Sequence, residues 1–187
     1  MPPAAPDGTR RPPVALLAAA AVALAAWIGT SLWERSHPPV FADLVKWVPS
    51  AVAPESASGG RPILYYFTAD WCGPCRVLRQ EVFSSEERAR YLNEHFVPVL
   101  VVDRMREDGR NEPKVDELLR RYSVNAFPTL VVTGGPGTGA WPQAGYPGKT
   151  KTWTFLVNAE RSCLRAQRQL LGGQSGAASF TPSPKPN

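Results

Sequence analysis

An apolar, largely aromatic run, Ile63-Leu64-Tyr65-Tyr66-Phe67, is followed almost at once by Cys72-Gly73-Pro74-Cys75. A run with no polar alternation is that of a strand covered on both faces, so helices are needed on either side of its sheet. A helix beginning at Gly73 then places the Cys72 sulfur at a helix N-terminus, where unpaired amides and the dipole favour negative charge. Pro74 suits the first turn, since the amide hydrogen it lacks has no intrahelical partner there. The placement matters because only the thiolate exchanges disulfides, and a free cysteine with pKa near ~8.5 is mostly protonated at neutral pH. Cys75, one turn further and expected to be the more buried, is placed to act as the resolving thiol after Cys72 attacks.

The chain has three cysteines, so beyond this pair only Cys163 is left. That is too few for a disulfide-rich scaffold. Tetrahedral zinc needs about four ligands, and Cys163, His37 and His95 offer no second close pair, so no metal is expected. The plainer reading of Cys72 and Cys75 is two packed or structurally bridged cysteines. A rival functional reading is a non-catalytic binding module, or a copper-handling protein, since thiolates suit Cu(I). The net charge of +5 and pI near 9.4 could suggest an anionic partner. Several of the basic residues, however, lie in the first eleven positions and in the tail. No basic run alternates with aromatic residues as a single-strand groove requires, so no nucleic acid is expected.

From Val14 to Trp33 there is no charge, about the ~20 residues that cross a hydrocarbon core. Arg10 and Arg11 precede this segment, while Glu34 and Arg35 nearly cancel after it, which puts the start in the cytoplasm and the remainder outside. Ala23-Leu24-Ala25 offers a cleavage site for a signal peptide. The apolar run nevertheless continues through Trp27, Ile28, Leu32 and Trp33, which favours a retained anchor. The expected organisation is a cytoplasmic N-terminus at 1–13 and a transmembrane anchor at 14–33. A linker at 34–60, with a short element around Phe41 to Val48, leads to a domain at 61–171 and a disordered tail at 172–187.

Within that domain Val77, Leu78, Val82 and Phe83 recur at helical spacing, and Ser84 with Glu87 suggests a capping box for the next helix. Val97 to Val102 reads as a second buried strand ending at Asp103, and Met105 to Asn111 as a charged loop. Pro113 suits the start of a helix carrying Val115, Leu118, Leu119 and Tyr122. Leu130 to Thr133 and the region around Trp141 to Tyr146 read as strands. A last helix, Trp153 to Leu171, bears Leu156, Ala159, Cys163, Ala166 and Leu170 on one stripe, which makes Cys163 a buried, inert thiol. Strands alternating with helices, closed by an antiparallel hairpin, imply an α/β fold with a mixed central sheet.

Ala69-Asp70-Trp71-Cys72-Gly73-Pro74-Cys75 resembles the active-site segment of thioredoxins, and Phe127-Pro128-Thr129 resembles the cis-proline loop of that family. The similarity covers about Ile63 to Leu171. Thr68-Ala69-Asp70-Trp71-Cys72 and Val82-Phe83-Ser84 look most like the periplasmic C-terminal domain of the transmembrane reductase DsbD. The resemblance implies a thioredoxin-like fold, with Cys72 attacking and Cys75 resolving in an active-site loop that includes Trp71, Gly73 and Pro74. Pro128 would be cis, freeing the backbone of the residue before it to pair with an extended substrate. Also implied are a redox-active Cys72-Cys75 disulfide without other cofactor, and protein thiol or disulfide substrates. The Gly-Pro dipeptide leans toward reduction, which in an oxidising periplasm requires a membrane electron donor. Trp71 can serve as core or as apolar surface for a polypeptide, and Asp70 is expected to face water. The chain departs from the family at Tyr66, where many thioredoxins carry a buried acid thought to help deprotonate the resolving thiol. A phenol can hydrogen-bond but is a poor base near neutrality.

Overall fold

The computed structural model describes residues 14–36, 43–54 and 59–177. The expected N-terminus at 1–13, His37, Phe41 and residues 178–187 of the tail lie outside them. The chain divides into two compact units, Met1–Val40 and Phe41–Asn187. In the first, α1 runs from Val14 to Ser36, 23 residues, or about 34 Å at ~1.5 Å per residue. Its side chains are described from 16 to 30 and are exposed there. Among the described residues no helix is long and apolar enough to cross a membrane; the anchor expected over 14–33 extends beyond those side chains at both ends.

The second unit is built on a five-stranded sheet with the order β1-β3-β2-β4-β5. The strands are β1 Val48–Pro49, β2 Ile63–Ala69, β3 Val97–Asp103, β4 Thr129–Thr133 and β5 Ala140–Ala144. β3 is parallel to both β1 and β2, whereas β4 is antiparallel to β2 and to β5. All seven residues of β2 are buried, and their alternation divides the core. Leu64 and Tyr66 pack with Leu78, Phe83, Leu92 and Leu156. Ile63, Tyr65 and Phe67 face the other way, toward Val99, Val115 and Leu118. The period of two along a strand produces this two-sided distribution, and burial of each large side chain contributes on the order of 1.5–3 kcal/mol.

Helices cover both faces. α2, Gly73–Leu78, continues through a π-helical turn, Arg79–Phe83, and is followed by α3, Glu86–His95. The expected capping box does not form. Ser85 is the N-cap and makes no side-chain bond, because the Ser84 hydroxyl instead donates to the Arg79 carbonyl at 3.1 Å, closing the π turn. The charged stretch after β3 is not wholly loop: α4, Met105–Asp108, makes one turn and ends at Gly109, with φ 68°. Asn111 braces it, accepting from the Arg104 amide at 2.7 Å and donating to the Asp103 carboxylate at 2.6 Å. α5, Pro113–Arg121, buries Val115 and Leu118.

Two boundaries differ from the sequence reading. Residues 43–54, assigned to a linker with a short element, pack onto the second unit and supply the edge strand of its sheet. β1 pairs with Val99 and Leu100, Val45 is buried, and Trp47 packs against Tyr66 and Phe83 with ring centroids 5.4 and 5.0 Å away. One half-buried tryptophan outweighs the loop-like proline content, and Pro49 is tolerated because its strand lies at an edge. At the other end α6 runs from Lys149 to Ala177, so residues 172–177 of the expected tail are helical. Glycine costs a helix interior about 1 kcal/mol relative to alanine and does not by itself end it. Leu156, Ala159 and Cys163 form the buried stripe, whereas Leu170 is exposed.

Phe83 lies fully buried between Trp47 and Tyr66. Phe83→Ala is expected to cost about 3–5 kcal/mol, read as a lowered denaturant midpoint at unchanged slope. A loss below ~1 kcal/mol would show that this packing is not a principal support.

Candidate active site

β2 delivers the chain to the site. After Ala69 the backbone turns, with the Cys72 amide donating to the Ala69 carbonyl at 3.1 Å, and Cys72 becomes the N-cap of α2 in an extended conformation. Its sulfur accepts from the Cys75 amide at 3.2 Å. A helix start leaves its first amides without intrahelical acceptors, and here one of them points at the sulfur. Gly73 and Pro74 occupy the first turn. Cys72 and Cys75 are joined in a disulfide, with Cα atoms 5.3 Å apart. Cys75 is not the deeper of the two as expected. Both are 2% exposed, since the bond holds Cys72 against the same core cluster.

Trp71 stands outside that cluster, 46% exposed. Its ring meets Phe127 edge-on, centroids 6.0 Å apart, and the Arg106 guanidinium lies 5.0 Å from its centroid. The Trp71–Phe127 contact brings the second predicted segment to the cysteine motif. The Phe127-Pro128 peptide bond is cis. The Pro128 carbonyl accepts from the Gly145 amide at 2.7 Å, and Thr129 opens β4 opposite Phe67. The Thr129 hydroxyl donates to the Ala126 carbonyl at 2.8 Å. Among the described residues no hydrogen bond engages the Phe127 backbone. Asp70 is exposed, as expected, and pairs with Arg104 at 3.3 Å.

Beneath the disulfide, Tyr66 is fully buried and its hydroxyl donates to the Cys75 carbonyl at 3.3 Å. Burial pushes the phenol up to about 12, opposed by a hydrogen bond with Thr68, so it serves as a donor and not as a base near neutrality. A carboxylate does stand in this region, brought from the segment taken for a linker. Asp43 accepts from the Trp47 indole at 2.8 Å and pairs with Arg79 at 3.3 Å. Neither it nor Arg106 carries a sequence signal, because each is placed by contacts between distant segments.

The remaining predicted groups lie elsewhere. Cys163 is a free, buried thiol, pushed up to about 11 chiefly by burial and also by the charge of Glu160. His95 ends α3, its Nδ1 2.8 Å from Glu160. The other Glu160 oxygen accepts from the Tyr91 hydroxyl. Among the described residues no group of three His, Cys, Asp or Glu side chains could hold a metal ion.

A bonded cysteine pair at the first turn after a central buried strand, with a cis-proline turn in contact through Trp71, defines the thioredoxin-like thiol:disulfide oxidoreductases. The chain belongs to the thioredoxin-like domain family, whose model matches residues 51–159. It is 35% identical over 75 residues, 40% of this chain and 14% of the relative, to a protein disulfide-isomerase of Ricinus communis. To the disulfide bond reductase DsbH of Chlamydia pneumoniae it is 29% identical over 103 residues, 53% of this chain and 62% of the relative. The chain thus spans a small part of the plant isomerase and less than two thirds of the chlamydial reductase. A solved structure titled DsbH Oxidoreductase superposes with a TM-score of 0.51 at 24% identity, covering 66% of this chain and 89% of that one, a likeness of fold.

Two outcomes follow from the site. Iodoacetamide at about pH 8 should modify no thiol in the native oxidised protein and one after unfolding, because a thiol titrating near 11 is scarcely ionised there. Modification of native Cys163 at the rate of an exposed cysteine would contradict its burial. Tyr66→Phe should lower stability by about 0.5–1.5 kcal/mol, the range for one hydrogen bond, in chemical denaturation of the oxidised form; an unchanged midpoint would mean the bond to Cys75 contributes nothing.

Proposed function

We propose that this chain is an exported, membrane-anchored protein-disulfide reductase acting on envelope proteins. The carrying observation is the Cys72–Cys75 disulfide at the start of α2, where the helix amides can stabilise a Cys72 thiolate. In the reduced protein the Cys72 thiolate attacks one sulfur of a substrate disulfide; a mixed disulfide forms and the other substrate sulfur leaves as thiolate, taking a proton from solvent. Cys75 then loses its proton and attacks the Cys72 sulfur, closing the internal disulfide and releasing the second substrate sulfur. The substrate gains two electrons and the cysteine pair loses two. Pairing of an extended substrate with the Phe127 backbone would hold its sulfur near Cys72. No further cofactor enters this exchange.

The direction draws support from the Gly73-Pro74 dipeptide, which resembles that of reducing thioredoxins, and from the chlamydial relative, a disulfide bond reductase. In a compartment kept oxidising, a reductase must be recharged, and a membrane dithiol partner is the donor class that fits. Export and anchoring draw support from the uncharged stretch Val14–Trp33, the helical backbone across it and the arginines that precede it.

The reduced full chain should accelerate insulin reduction by dithiothreitol, and Cys72→Ser should reduce that rate to background. Activity unchanged by the substitution would overturn the assignment. Cys75→Ser should instead accumulate covalent mixed disulfides with substrates. A reporter fused after Asn187 should be active outside the cytoplasmic membrane; one active only in the cytoplasm would overturn the orientation.

A further inference from the structure

Building on the exchange reaction proposed above, we infer that the surface around Trp71 selects polypeptide disulfides flanked by carboxylate side chains. Three guanidinium groups gather there from two separate segments. Arg106, on α4, sits 5.0 Å from the Trp71 ring centroid. Arg104 pairs with Asp70 at 3.3 Å. Arg76, on α2, folds back over the motif: its Nη1 donates to the Asp70 carbonyl at 3.4 Å, and its Nη2 lies 3.9 Å from where a Cβ on Gly73 would stand. All three side chains belong to exposed residues.

Against these three cations the same contacts set one carboxylate, Asp70, already engaged by Arg104. Glu107 and Asp108 follow Arg106 in α4, but at about 100° per residue they turn roughly a quarter and more than half a turn away from it. Asp108 lines a hollow beside β1 with Arg104, Arg110, Asn111 and Glu112, so Arg104 stands between the two groups. With Arg104 engaged by Asp70, the positive charge left beside the motif without an ion pair among the described residues is that of Arg76 and Arg106. Exposed apolar surface lies on the same elements, Trp71, Val77 and Met105, so the surface suits a polypeptide with apolar and acidic residues beside its cysteine.

Among the described residues each guanidinium engages a single polar or aromatic partner, Asp70 or Trp71, and its five N–H groups in a planar fork leave donors to spare. A substrate carboxylate one or two residues from the attacked sulfur lies within about 4–7 Å along an extended chain, a span comparable to the 3.9 Å that sets Arg76 beside Gly73 and the 5.0 Å that sets Arg106 beside Trp71, the two neighbours of Cys72. Such a carboxylate takes no part in the exchange chemistry. It raises the encounter rate and lowers KM, by an amount that salt screens.

The test uses the reduced full chain in a neutral detergent. Three peptides, each with one internal disulfide, are compared; they are identical except for Glu, Gln or Lys beside the cysteines. At low salt the Glu peptide should be reduced about three- to tenfold faster than the Gln peptide, and the Lys peptide more slowly than either. The difference should lie in KM rather than kcat. Near ~1 M salt, where the Debye length is ~3 Å, the Glu-to-Gln ratio should fall toward one. It should fall likewise in Arg76→Gln and in Arg106→Gln, and Arg106→Lys should restore most of it. Equal rates for the Glu and Gln peptides at low salt would overturn the inference while leaving the exchange reaction standing. So would a ratio that survives both salt and the Gln substitutions. Failure to reduce any of the three peptides would overturn both.

Discussion

The whole structure depends on β2 being buried along its full length. A strand with no exposed residue has to receive packing from two directions, and the two resulting layers are what hold the site in position. On one side Tyr66 and Leu64 anchor the α2, α3 and α6 layer; on the other Tyr65 and Phe67 anchor α5. Because β2 is paired along its whole length by β3 and from Ile63 to Phe67 by β4, the approach to its C-terminal end is held on both edges. The turn leaving it therefore presents the helix start, and the sulfur there, on rigid backbone. The same pairing brings β4 alongside, so the residue that opens β4, and the cis-proline turn before it, arrive beside the cysteines without any further device.

That chain of dependence explains how much was legible in advance. The unbroken apolar run, the Cys-x-x-Cys spacing and the proline in the first turn are local signals with local physical causes. They pointed to β2, α2 and the cysteine pair that is bonded there, and the resemblance of Phe127-Pro128-Thr129 to a family loop pointed to the cis peptide that meets Trp71. Capping was misjudged by one residue because Ser84 had a competing acceptor in the π turn, which no spacing rule anticipates. Trp47 and Asp43 fall in the short element expected around Phe41 to Val48, but their importance comes from Tyr66, Phe83 and Arg79, which lie far off in sequence. Contacts of that kind are products of the fold and leave no periodicity behind.

The substitution of a phenol for the family's buried acid changes what lies beneath the sulfur pair. Tyr66 supplies a hydrogen-bond donor to the Cys75 carbonyl and fills an aromatic cluster with Trp47 and Phe83, giving rigidity at the expense of a titrating group. In the proposed exchange, acid–base work at Cys75 would then fall to solvent or to the substrate thiol. The nearby carboxylate, Asp43, is committed to an indole and a guanidinium. The floor of the site is thus mainly structural, and its charged character resides on the rim, in arginines carried by α2, by α4 and by the turn before α4.

The seclusion of Cys163 has a consequence for how the molecule fails. A chain with an odd thiol near a reactive disulfide admits three one-bridge isomers, and shuffling among them needs only an ionised, accessible third sulfur. Sealed on the inner stripe of α6, this sulfur is withheld while the fold persists. Once the fold opens it becomes an intramolecular competitor and a point of cross-linking between molecules. Loss of structure in oxidising surroundings is then driven toward scrambled and covalently joined species that do not return, so the endurance of this protein is governed by how rarely it opens rather than by its equilibrium stability.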